Sequence, residues 1–249
     1  QMCIRDSINV EAVTLRTYSI SAGRLPAAQT GSVTVKLNTS IVMLPKEPMQ
    51  PRFADDRVGF FQNSLTEFSD DQQTTDRGAI IQRYRLEPKD PERYRRGQLS
   101  EPKNPIIYYI DPATPKKWIP YLKAGVEDWN TAFEAAGFKN AIIAKEWPND
   151  PNMSLDDARY SVIRYLPSET ENAYGPRIVD PRSGEIMESH ICWYHNVMNL
   201  LKKWYMVQCG PLDKRARTMT FDDKLMGSLI QFVSSHEVGH SIGLRHNMA

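Results

Sequence analysis

The stretch that decides this chain is His236-Glu237-Val238-Gly239-His240-Ser241-Ile242-Gly243-Leu244-Arg245-His246. It reads H-E-x-x-H-x-x-G-x-x-H. His236 and His240 are four residues apart, so on a helix both imidazoles leave one face, one turn apart. Two ring nitrogens placed in this way can hold one zinc ion. Glu237 follows the first of them, and its carboxylate can reach a water on the metal without being a ligand. Gly243 has no Cβ, so it can take positive φ and end the helix. The chain then turns back, and His246 can approach the same ion from another direction. Three neutral imidazoles leave a fourth zinc position for water, as a catalytic site requires and a closed structural site does not. His236, His240 and His246 are therefore the candidate zinc ligands, and Glu237 is the candidate general base. The bland alternative is three histidines on a solvated helix end. A Gly and a third His at fixed offsets disfavour it.

The helix carrying the motif is expected to start near Thr220, where Thr220-Phe221-Asp222-Asp223 resembles a capping box with Asp in the Glu position. Leu225, Leu229, Phe232 and Val233 continue into His236 and His240 on overlapping faces. The ligands should thus project from a buried helix. Gly239 costs about 1 kcal/mol relative to Ala in a helix interior, which suggests close approach of another backbone.

A compact α/β pattern begins at residue 105 and runs to 249. The apolar run 106–110 suits a strand buried on both faces. Trp118, Tyr121, Leu122, Val126, Trp129, Ala132 and Phe133 recur at helical spacing, predicting one amphipathic core helix over 116–136 with Gly137 as its cap. Residues 141–144 and 161–165 read as further strands. Helix between strands implies crossovers and a mostly parallel sheet. Residues 173–179 could form a strand, but Pro176 lacks an N–H and belongs at an edge or bulge. Residues 180–184 are a turn sequence, and 185–191 alternate again. An edge strand here would suit binding of an extended peptide; an ordinary surface hairpin is equally consistent. His190 and His195 read as hydrogen-bonded structural histidines, because three ligands are already present.

Upstream, residues 8–45 read as β, with alternation over 32–37 and an apolar run at 41–44. They would be the tail of a preceding β-rich domain. Residues 46–104 read as an extended linker: 62–78 are polar and loop-like, 80–86 alternate, and 87–105 are charged and proline-rich. Residues 1–7 fit no periodic pattern and are set aside as an artefact or scar. The 249 residues are 41% hydrophobic and 24% charged with net charge +1, so nothing favours nucleic acid or acidic membranes as partners. No apolar run approaches the ~20 residues of a membrane span. Cys3 lies in the doubtful leader, and Cys192 and Cys209 could pair or stay as two free thiols.

The terminal motif resembles the metzincin signature of zinc peptidases. The wider sequence is more similar still to the bacterial Met-zincin zinc-binding family of large exported proteins. The matching phrases are Leu44-Pro45 with Pro48-Met49 and Pro51-Arg52, then Trp129-Asn130 through Gly137-Phe138-Lys139-Asn140-Ala141, then Asp180-Pro181-Arg182-Ser183-Gly184-Glu185-Ile186, and the motif through Asn247. The resemblance implies an α/β (α+β) fold: a metzincin-like upper subdomain with a mixed, mostly parallel sheet, a long backing helix and a zinc-binding active-site helix, preceded by a β-rich segment. It implies a secreted bacterial zinc metalloendopeptidase, with Zn2+ held by His236, His240 and His246, Glu237 as base and a peptide or protein as substrate. The alternatives are a non-catalytic zinc-containing binding domain and a zinc hydrolase acting on a non-peptide amide or ester. Metzincins carry a methionine turn well downstream of the third His. Met248 is too close to be that turn, and Asn247 stands where several subfamilies have Asp, Glu or Ser. If the chain stops at Ala249, His246 is expected to sit on an untethered tail and to bind zinc weakly.

Overall fold

The computed structural model describes residues 9–19 and 27–246. Residues 1–7 with Cys3, and Asn247, Met248 and Ala249, lie outside the described residues. The chain opens with a long antiparallel ribbon, β1 (Asn9–Ser19) against β2 (Ser32–Val42), with α1 (Ala27–Thr30) in its connection. Along β2, Val33, Val35 and Leu37 are half-buried while Ser32, Thr34 and Lys36 face water, so the alternation over 32–37 does form a strand. A second antiparallel ribbon follows, β3 (Gln62–Glu67) against β4 (Asp76–Ile81). This corrects the expectation of a loop over 62–78. A polar stretch carries no apolar alternation, and here cross-strand pairing rather than burial makes the strand. The short α2 (Pro91–Arg95) starts at Asp90, whose side chain accepts the Arg93 amide at 2.9 Å.

Next come β5 (Ile106–Ile110), α3 (Ile119–Glu127), α4 (Asn130–Ala135), β6 (Ile142–Glu146) and β7 (Ser161–Leu166). The short strands β8 (Ala173–Tyr174), β9 (Arg177–Val179), β10 (Ile186–Ser189) and β11 (Ile191–Tyr194) follow. α5 (Val197–Cys209), a 3-10 turn at Lys214–Arg217 and α6 (Asp223–Ser241) complete the chain. Five strands form one sheet in the order β6-β5-β7-β11-β8. β6, β5, β7 and β11 are parallel, and β8 closes the edge antiparallel to β11. The sheet is therefore mixed and mostly parallel, as the alternation of helix and strand predicts. Tyr108, Ile110, Ile163 and Ile191 of the sheet pack with Leu122 of α3 and Val238 of α6 in the main core. Among the described residues, no helix is long and apolar enough to cross a membrane.

Three further expectations need adjustment, and one helix is an addition. The single backing helix of 116–136 is two segments, although Asp128 and Trp129 between them keep right-handed helical angles. At this break Asn130 turns toward β6. Its amide donates to the Ile142 carbonyl at 2.8 Å, and its oxygen accepts the amides of Ala141 and Ile142. Residues 173–179 are also two strands, split at Pro176. Its carbonyl accepts the His190 amide at 3.0 Å, while β9 pairs with β10. α5 was not anticipated. The cap of α6 is Asp222, which accepts the Leu225 amide at 2.8 Å, rather than Thr220. Cys192 and Cys209 are both free and half-buried.

Candidate metal centre

α6 presents the first two histidines because its other faces are committed. Leu225, Ile230, Val233 and Val238 are buried, and the Ser234 hydroxyl donates to the Leu122 carbonyl of α3 at 2.9 Å. His236, on the remaining face, is exposed, and His240 is half-buried. A Cβ on Gly239 would stand 2.7 Å from the Trp129 ring. The close neighbour is thus an indole and not another backbone. The same indole N–H donates to the Ser235 carbonyl at 2.8 Å, which fastens α6 to the break between α3 and α4.

The helix ends as the sequence predicts. Gly243 has φ +113. The Leu244 amide donates to the Gly239 carbonyl and the Gly243 amide to the His240 carbonyl, each at 3.0 Å. That pair of bonds is the Schellman arrangement, and it reverses the chain. His246 then returns toward the helix. Its Nε2 lies 2.9 Å from Nε2 of His240 and 3.1 Å from that of His236, which in turn lies 3.1 Å from His240. Among the described residues, this trio forms the group of side chains able to hold a metal ion together.

The donor set suits zinc. The His240 Nδ1 lies 2.8 Å from the Leu244 carbonyl. A carbonyl only accepts, so Nδ1 carries the proton and the Nε2 of the neutral ring offers its lone pair. Burial, followed by the neighbouring rings of His240 and His246, pushes the His236 pKa down and favours its neutral form. Three ring nitrogens gathered about 3 Å apart gain from a shared cation. Zinc–nitrogen bonds of about 2.0–2.1 Å span nitrogen pairs of this separation.

Glu237 is buried at 8% exposure. Burial alone raises its carboxyl to about 7. The other two histidines lie elsewhere. The His190 Nδ1 meets the Glu188 carboxylate and its Nε2 the Leu155 carbonyl at 3.0 Å, while the His195 Nδ1 meets the Tyr165 hydroxyl at 2.7 Å.

Three neighbours of the centre escaped sequence reasoning. Arg177 of β9 donates from its guanidinium to the His240 carbonyl at 2.5 Å, at the negative end of the helix. That guanidinium also lies 3.9 Å over the Phe61 ring, which meets the His240 ring edge-on at 6.0 Å. Beside Phe61, Gly59 accepts the Arg245 amide at 2.8 Å. A lone Arg in a short apolar strand was the available signal for Arg177. Gly59 and Phe61 offered none.

Residues 218–249 match the family model described as Met-zincin. This C-terminal stretch is similar to the Met-zincin family. Residues 6–89 match a domain of unknown function, DUF5117. No curated protein and no solved structure matches the chain. The Met-zincin match covers α6 and all three converging histidines, and the N-terminal match covers β1 through β4 together with Gly59 and Phe61.

Proposed function

We propose that this chain is a zinc-dependent metallopeptidase that hydrolyses peptide bonds. The observation that carries this reading is the triangle of Nε2 atoms 2.9–3.1 Å apart, next in sequence to a buried carboxyl and inside the Met-zincin match. His236, His240 and His246 would hold the ion. When bound, zinc would polarise the scissile carbonyl and lower the pKa of an attacking water to about 7. Glu237 takes the proton from that water and returns it to the leaving amine. Its carboxyl, already moved to about 7 by burial, exchanges a proton near neutrality, where acid–base catalysis is most effective. The bond from His240 Nδ1 to Leu244 fixes the ring and its tautomer. An extended peptide would add to the sheet at β8, the short antiparallel strand at its edge.

Elemental analysis of the purified protein should give about one zinc per chain. Glu237→Ala should keep that zinc and lose cleavage of an unbiased peptide library by several orders of magnitude, as expected when a general base acting on a metal-activated water is removed. A zinc-loaded wild type that cuts nothing would instead mark a non-catalytic binding domain. Turnover of non-peptide amides or esters alone would mark a different hydrolase.

A further inference from the structure

The third histidine is the least secured of the three. His246 is exposed, and among the described residues its ring makes polar contacts only with His236 and His240. Its position therefore depends on the backbone of residues 243–245, and part of what holds that backbone comes from the far end of the chain. The Phe61 amide donates to the Gly243 carbonyl at 2.7 Å, the Arg245 amide donates to the Gly59 carbonyl at 2.8 Å, and Phe60 forms an antiparallel bridge with Leu244. These contacts make a short piece of sheet, one strand of which is the metal-site loop.

The other strand is itself anchored. The Gln82 amide, just past β4, donates to the Phe61 carbonyl at 2.8 Å. One residue on, the Arg83 amide donates to the Gly184 carbonyl and the Ile186 amide to the Arg83 carbonyl, each at 2.9 Å. A continuous backbone ladder thus runs from the turn before β10, through residues 82–83 and 59–61, to the loop before His246. Gly243 permits a close approach within it. A Cβ there would stand 2.2 Å from the Gln82 carbonyl oxygen. The expectation that His246 sits on an untethered tail is corrected here, because residues 243 and 245 of its loop are hydrogen-bonded to residues 61 and 59.

We propose that residues 59–61, within the match to the domain of unknown function, are the positioning element of the metal centre, fixing His246 through the backbone of 243–245. This rests on the zinc reading above. It gives the N-terminal segment a role: completing the three-histidine site that α6 alone begins. Phe61 and Gly59 act as positioning residues, through the backbone of 243–245.

The test uses the full chain with paired variants. Phe61→Pro removes the N–H that reaches Gly243, and Phe61→Leu keeps it. Arg245→Pro removes the N–H that reaches Gly59, and Arg245→Ala keeps it. A zinc competition titration should show both Pro variants weakened by about 10–100-fold, the range for losing a partner that orients a ligand. Arg245→Ala should bind like wild type, and Phe61→Leu, which keeps the N–H but loses the ring against Arg177 and His240, should weaken binding less than Phe61→Pro. The visible spectrum of the Co2+-loaded protein should change in both Pro variants and not in Arg245→Ala, a signature that general destabilisation does not produce. In the metal-free chain, hydrogen exchange at the Arg245 amide should be slow in wild type and fast in Phe61→Pro, while α6 stays protected. Arg245 is exposed, so its Pro variant leaves the core intact and decides the matter if Phe61→Pro fails to fold. Wild-type affinity and spectrum in Arg245→Pro would overturn the proposal. If wild type binds no zinc, the metallopeptidase reading falls, and an unprotected Arg245 amide in the metal-free chain would then separately overturn the clamp.

Discussion

Two of the three converging histidines stand on a helix and the third on a loop, and different physics places them. His236 and His240 are set by the pitch of α6, whose buried Leu225, Ile230, Val233 and Val238 contribute about 1.5–3 kcal/mol each through apolar burial. The His246 loop buries little and relies on a few backbone hydrogen bonds, each worth only about 0.5–1.5 kcal/mol net. The helix half should therefore resist change until the core fails, and the loop half should yield to small perturbations while the fold persists. In such a design the stable element provides the frame and the weaker one completes the site.

The largest effect should come from removing a ligand. His240→Ala should lower zinc affinity by more than the roughly 100-fold seen for loss of an orienting partner, with circular dichroism unchanged. Loss of helical signal in that variant would mean that the helix is not the independent frame supposed here. Next is the core beneath the frame. Leu122 is fully buried, and Leu122→Ala should cost about 2–5 kcal/mol in urea unfolding. A cost below 1 kcal/mol would show that α3 does not hold α6 in place.

Gly243→Ala attacks the loop. It combines φ +113 with the clash against the Gln82 carbonyl, and such strain costs about 1–3 kcal/mol. Hydrogen exchange should speed up at Gly243's neighbours before any change in α6. If α6 opens equally, the two halves form one cooperative unit.

The smallest effect concerns pH. The Asp180 side chain is buried in the turn that anchors the far end of the ladder, and the Arg182 side chain beside it holds its carboxyl below the usual value. A depressed folded pKa contributes stability above the unfolded value of about 3.9, and that stability is lost as pH falls through the folded value. The stability gap between wild type and Asp180→Asn should accordingly shrink as pH drops from about 5 toward 2. A gap that widens toward acid would reverse the sign argued here.

The same contrast explains what could be read in advance. The strands at 106–110, 141–144 and 161–165 were legible as short apolar runs. The end of α6 was legible because a single glycine with no Cβ suffices to reverse a helix. The Asp180-x-Arg182 turn recurs at Asp55-x-Arg57, Asp157-x-Arg159 and Asp213-x-Arg215, each Arg donating to its own Asp. That is a short-range signal, and reading outward from the motif passed over it. Most of the β3–β4 ribbon was not legible, because its polar residues 62–78 carry no apolar periodicity; only its buried end at Ile80 and Ile81 lay in a stretch that alternates. The neighbour of Gly239 was misjudged because sequence announces a close approach without naming what approaches.

By itself, then, the sequence determined what is local in range: two imidazoles one helical turn apart, a carboxyl beside the first, a glycine that turns the chain, and apolar strands that must find a sheet. Spacing along a helix is set by its hydrogen-bonded pitch, so residue numbers are enough. Only the tertiary structure decided where the third imidazole arrives. That position depends on strand pairing between the Gly243–Arg245 backbone and residues 59–61, far apart in the chain. Main-chain donors and acceptors are the same at every residue, so no side-chain pattern marks which of them will meet.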